Sequence, residues 1–123
     1  MILNLTQHAT SADQLAVGVV ELSSTDKALL VSLLTVDTLP TRQEIEDRCA
    51  DIATLASLHE PDCLQAMVGG APWMMSELEA ALMDVGISPV YAFSVRESVD
   101  QHQPDGSVRK VAIFRHAGFV PAR

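Results

Sequence analysis

The stretch CLQAMVGGAPWMMSELEAALMDVGISPVYAFSV, residues 63–95, constrains the fold most. It reads as an apolar strand running into a double glycine, then a helix, then a second apolar strand. Pro72 suits the first helical turn, where its missing N–H is no loss, and Gly86 stands just past the last one. Strands that alternate with helices point to an α/β domain with parallel strands and right-handed crossovers.

The rest of the chain repeats the pattern. MILNLTQ reads as an opening strand. A short helix follows, capped by Ser11 with Gln14 in a capping box and closed by Gly18. VVEL is a short second strand, and STDKALLVSLLTV a helix that ends before Pro40. Thr41 with Glu44 forms a second capping box. The helix behind it carries Ile45, Cys49, Ile52 and Ala56 as one apolar stripe, with Arg42, Glu46, Asp47 and Asp51 off it. After the turn Pro104-Asp105-Gly106, a last strand begins at Val108. Following a turn, that strand can run antiparallel at the edge. The expectation is one Rossmann-like domain over residues 1–123: a mostly parallel sheet of about five strands flanked by helices.

Charge narrows the partners. The net charge of −8 argues against binding long nucleic acid. It is unevenly spread: residues 1–95 carry −10 and residues 96–123 carry +2. The basic end can hold a small anion locally; it equally fits a short tail with no ligand. No apolar run approaches the ~20 residues of a membrane helix, and MILNLTQHATS lacks the basic and apolar regions of a signal peptide. A cytoplasmic protein that touches no membrane is expected. Cys49 and Cys63 then read as free thiols, Cys49 on a helix face and Cys63 at a strand start. His8, His59, His102 and His116 are scattered without ligand spacing, so neither a metal nor a cofactor is expected.

In open α/β sheets, ligands bind beyond the carboxyl ends of the strands. Three groups are expected there: Thr6, Gln7 and His8 after the first strand; Gly69, Gly70 and Ala71 after the middle one; Ser94, Arg96 and Ser98 after YAFSV. Glycines let backbone approach a phosphate, and the helix behind them offers unpaired N–H groups. Arg96 can grip a phosphate with two parallel hydrogen bonds. The hydroxyls of Thr6, Ser94 and Ser98 can donate, and His8 can move a proton near neutral pH. Each group also has a plainer reading: a tight turn, a surface histidine, a solvated Arg96–Glu97 pair. Neither GxGxxG nor the P-loop pattern is present. Trp73, Met74 and Met75 at a helix start fit either core or a subunit contact.

The C-terminal third, ISPVYAFSVRESVDQHQPDGSVRKVAIFRHAGFV, resembles the small CRISPR-associated ring nucleases, single-domain relatives of the CRISPR-associated Rossmann fold. The resemblance rests on an apolar strand ending in a Ser/Thr-x-Arg pattern, on DGSVRKV, and on the FRHAGF ending. ILNLTQHATSADQ and GGAPWMMSELEAAL are similar to the family's opening motif and its glycine turn; residues 19–62 are not distinctive. The resemblance implies a homodimer that binds a cyclic oligoadenylate across its two-fold axis. It implies cleavage without a metal, by a ribose 2′-hydroxyl attacking the adjacent phosphate. His8 and Arg96 would be the catalytic residues. Thr6, Gln7, Gly69, Gly70, Ala71, Ser94, Ser98 and His116 would bind the ligand, and His116 is equally readable as structural. Two other classes stay open: a module that binds a cyclic nucleotide without cutting it, and a small interaction protein of mobile-element origin.

Overall fold

The computed structural model describes every residue except 60, 61 and 63. Five strands form one sheet in the order β2-β1-β3-β4-β5. They are β1 (Ile2–Leu5), β2 (Val19–Val20), β3 (Gln65–Val68), β4 (Ser88–His102) and β5 (Val108–Pro121). The helices are α1 (Ala12–Ala16), α2 (Ser24–Leu34), α3 (Arg42–His59) and α4 (Pro72–Asp84). The architecture is α/β, with a mixed sheet flanked by helices.

A mostly parallel sheet is not what forms. The three parallel junctions are short, with two, four and three paired residues, against thirteen along the antiparallel β4–β5 ladder. The reason lies in lengths: β1 and β3 have four residues each, while β4 has 15 and β5 has 14. The expected strand SPVYAFSV therefore does not stop at Val95; it runs on to His102. Alternation continues through it, with Val95 and Val99 on one side and polar residues on the other. β5 also continues past Ile113 to Pro121, giving the hydrogen-bonding partner that this extension needs.

The local signals place the helices. Ser11 and Gln14 close the capping box of α1 in both directions. Ser23 caps α2 by accepting from the Asp26 N–H. The Thr41 hydroxyl accepts from the Glu44 N–H at the start of α3. Pro72 opens α4, and Gly86 takes the positive φ of 81° that ends it. The start of the expected strand at Cys63 lies outside the described residues.

Period-two alternation divides the core. Leu3, Leu5, Ala66 and Val68 face α2, α3 and α4, where they meet Leu30, Cys49, Ile52, Ala56, Met74, Leu78 and Leu82, all buried. Met74 and Met75 thus belong to the core, and only Trp73 of that trio is exposed. Burial pushes the Cys49 thiol up to about 11, with Glu77 adding to it, so this cysteine is an inert packing group. The other sheet face holds a smaller cluster: Ile2, Val19, Met67 and Val90, with Phe119 packed on it.

Candidate functional site

The chain steps from β1 outward to β2, then crosses back to β3 on the other side of β1. The two crossovers leave in opposite directions, so a crevice opens between the carboxyl ends of β1 and β3. Two hollows lie there. One, of about 430 Å³, is lined by Thr6, His8, Ser11, Gln14, Met67, Gly69 and Ala92 among others. The second, of about 310 Å³, is lined by Thr6, Gln7, His8, Leu34, Gly69, Gly70 and Ala71. Thr6, His8 and Gly69 border both. Each volume is in the range of small-molecule sites.

A polar network fixes the loop that carries His8. Asn4 is fully buried in an otherwise apolar strand. Its Oδ1 accepts from the Thr6 N–H at 2.9 Å and the Thr6 hydroxyl at 2.7 Å. Its amide nitrogen donates to the His8 carbonyl and the Glu21 carboxylate, each at 2.8 Å, and lies 3.1 Å from the Thr10 hydroxyl. Glu21 also accepts from the Thr10 N–H at 2.7 Å and from its hydroxyl. Lys27 Nζ donates to the Thr6 carbonyl at 2.6 Å and the His8 carbonyl at 3.3 Å, and lies 3.8 Å from Glu21. A buried asparagine left unpaired would be costly, so the network sets the loop's path as much as it stabilises it. Burial alone would raise the Glu21 carboxyl; hydrogen bonds from Thr10 and Asn4, with Lys27 nearby, bring it below its ordinary value.

Asn4, Glu21 and Lys27 were missed at the level of sequence. The one local signal was an asparagine in the middle of ILNL, where alternation and burial call for an apolar residue. Glu21 and Lys27 come from distant positions and carried none.

The glycine turn differs in detail from expectation. Gly70 has a positive φ of 158°, but Gly69 does not. A Cβ on Gly70 would sit 3.2 Å from Met75 Cε, whereas one on Gly69 would meet Thr6 Cγ2 at an ordinary 3.5 Å. Gly70 is therefore the more constrained of the two. Ala71 is the N-cap of α4 and supplies no side-chain cap, and Pro72 follows it at the first helical position. Pro72 has no N–H and the Met74 N–H donates to the Ala71 carbonyl at 2.9 Å, so in this first turn it is the Trp73 N–H that can serve a ligand.

Ser94, Arg96 and Ser98 do not stand in a loop at a strand end. They lie within β4, paired with His116, Phe114 and Ala112 of β5. Alternation puts them on the same face as Ala92, which borders the larger hollow. Arg96 stands four residues beyond Ala92, about 13 Å further along an extended strand. They share a side with Thr6, Gln7, His8 and the glycine turn but not their hollow.

His116 sits elsewhere. It faces a shallow hollow with Asp13, Val17 and Phe119, and its ring lies 4.8 Å from that of Phe119. Among the described residues, neither buried ring nitrogen has a hydrogen-bond partner. Tyr91, not singled out from sequence, ties β4 to α4 by donating to Glu79 at 2.6 Å; burial, then the Glu79 contact, pushes its hydroxyl up to about 12.

No curated protein and no solved structure matches the chain. A family model described as that of the uncharacterized protein MJ1673 family matches residues 1–120. The polar loop, the hollows and all of the long hairpin but its last residue, Pro121, fall inside that match, and the chain belongs to the MJ1673 family.

Proposed function

We propose that this protein is a cytoplasmic, metal-independent ring nuclease that binds and cleaves a cyclic oligoadenylate, working as a homodimer in CRISPR signalling. The observation that carries the reading is the meeting of Thr6–His8 and Gly69–Ala71 around one crevice at the β1/β3 carboxyl ends, with Arg96 on the same side. On this reading the fold is Rossmann-like, with the ligand at its switch point.

The chemistry needs little from the protein beyond placement and charge. A ribose 2′-oxygen attacks the neighbouring phosphorus and the bond to the 5′-oxygen breaks, leaving a 2′,3′-cyclic phosphate and a free 5′-hydroxyl. His8 takes the proton of the attacking hydroxyl and returns one to the departing oxygen. The Gly70 and Ala71 amides and the start of α4 meet the charge developing on the phosphate. Thr6 and Gln7 hold ribose or base edges. A ring is wide enough to reach along the hairpin, where Arg96, Ser94 and Ser98 engage a second phosphate. His116, packed on Phe119, takes a structural place in this scheme.

The test is direct. Purified protein is incubated with labelled cyclic oligoadenylates of several sizes, in chelator, and binding and products are resolved separately. His8→Ala should keep binding and lose turnover. Arg96→Ala should weaken binding by about 1.5–3 kcal/mol, the worth of a charged hydrogen bond. Failure of every ring to bind the parent protein overturns the reading. Binding without cleavage leaves the binding-module alternative in its place.

A further inference from the structure

Beyond Phe93 the β4–β5 hairpin leaves the sheet that bears it. β3 pairs with β4 only at Ser88, Pro89 and Val90, whereas the β4–β5 ladder continues to His102 and Val108. The result is a two-stranded ribbon with two unlike faces. Alternation puts Val95, Val99, Val111 and Ile113 on one of them, together with the Arg115–Glu97 ion pair. Val99, Val111 and Ile113 are half-buried there.

The other face is the one on which Ala92 borders the larger hollow. It carries Ser94, Arg96 and Ser98 of β4 with Ala112 and Phe114 of β5. All five are exposed. Phe114 stands out: it is 74% exposed and has only polar or small side chains around it. Arg96 is its direct partner across the ladder, and Ser94 and Ser98 are its diagonal neighbours. The guanidinium of Arg96 is unspent. Among the described residues it makes neither an ion pair nor a side-chain hydrogen bond. Glu97, beside it in the chain, is on the opposite face and accepts from Arg115 Nε at 3.0 Å. Asp100, further out on this face, lies opposite Lys110.

This combination selects its occupant. One ring among hydroxyls and a guanidinium is not the contiguous apolar patch of several hundred Å² on which a protein docks. It supplies what a single nucleotide needs. An aromatic face stacks on a base. A guanidinium grips a phosphate by two parallel hydrogen bonds, and serine hydroxyls donate to the oxygens left over. Arg96 stands about 13 Å from Ala92 along the strand, so the nucleotide held here is not the one whose phosphate meets the glycine turn.

We propose that Phe114 is a base-stacking residue, forming with Arg96 a second nucleotide subsite on the ribbon: the base lies on the phenyl ring and its phosphate on the guanidinium. The proposal rests on the reading of this protein as a binder of cyclic oligoadenylate and adds to it the place of a second base.

The test is titration calorimetry of the full chain with the cyclic oligoadenylates. Phe114→Ala should weaken binding about tenfold or more, as the loss of one base–aromatic stack does. Phe114→Leu should be as weak, because it restores apolar bulk without a π-face, and Phe114→Trp should hold the parent's affinity. In the unaltered protein, the nuclear magnetic resonance signals of the Phe114 phenyl protons should move upfield when the cyclic ligand is bound. Parental affinity in Phe114→Ala, or rescue by Phe114→Leu, overturns the proposal and leaves the nuclease reading standing. Unshifted Phe114 signals in the bound parent overturn it as well, and that readout depends on no variant folding. If no cyclic oligoadenylate binds, the nuclease reading falls and linear ApApA becomes the probe. A Phe114 shift that inorganic phosphate does not cause then keeps the subsite, and no shift overturns it.

Discussion

The body of the molecule, residues 1–92, and the ribbon beyond it use the same alternation to opposite ends. In the body, the alternating apolar positions of the inner strands meet a second layer: Leu3 and Leu5 are fully buried, as are Leu78 and Leu82 of the helix above them. In the ribbon the alternation is equally regular, yet its apolar side chains are at most partly buried, and Phe114 is 74% exposed. A strand pattern therefore tells which side chains share a face but not whether anything covers it. Cover comes from other elements packed on the strand, not from the strand's own pattern.

The largest expected effect tests that contrast directly. Leu78→Ala should cost about 2–5 kcal/mol in urea unfolding, because the site is closed on all sides. Phe114→Ala should stay within about 0.5 kcal/mol, as a surface change away from packing does. Comparable losses at the two positions would mean that the ribbon is as tightly packed as the body, and the contrast would fail.

A smaller effect separates the site loop from both. Asn4→Ala should cost about 1–3 kcal/mol, since it leaves Thr6 donors and the His8 carbonyl without their partner. Amide exchange between Thr6 and Thr10 should quicken while the ribbon is unchanged. If exchange quickens in the ribbon alone, the loop does not depend on this network.

The smallest effect is one of pH. Glu21 has a carboxyl held below its ordinary 4.5 in the folded chain. Its contribution is therefore present above that value and is lost as pH falls through the lower folded one. Stability measured down the acid limb should fall less steeply for Glu21→Gln than for the parent, with no difference in slope near neutrality. Parallel acid limbs would show that Glu21 is not tied in as the geometry has it.

How much of this was legible in the chain follows from the range of each interaction. The capping box at Ser11, the Thr41 hydroxyl accepting from the Glu44 N–H (one half of the box expected there), Pro72 opening α4, and the stripe of Cys49, Ile52 and Ala56 are encoded within one or two turns, and each is where the local pattern put it. The same holds for Thr6, His8 and Gly69 meeting at one crevice, since strand ends of parallel neighbours must coincide. SVRES was misread as a strand end because its polar residues look like a loop when the partner strand is not in view. Only pairing with Phe114 and its neighbours, some 18 residues on, makes it strand. Asn4 with Glu21 and Lys27 was hidden for the same reason: the contacts span 17 and more positions.

The way the His8 loop is tied down has a consequence for how such a site can change. Asn4 and Lys27 grip it by the carbonyls of Thr6 and His8, not by the side chains of Gln7 and His8. The loop's shape is thus independent of what those two positions carry. Substitutions at Gln7 can alter what the crevice recognises, and at His8 what it does to a bound ligand, while the frame stays intact, so lineages, or a protein engineer, can change either without refolding the scaffold.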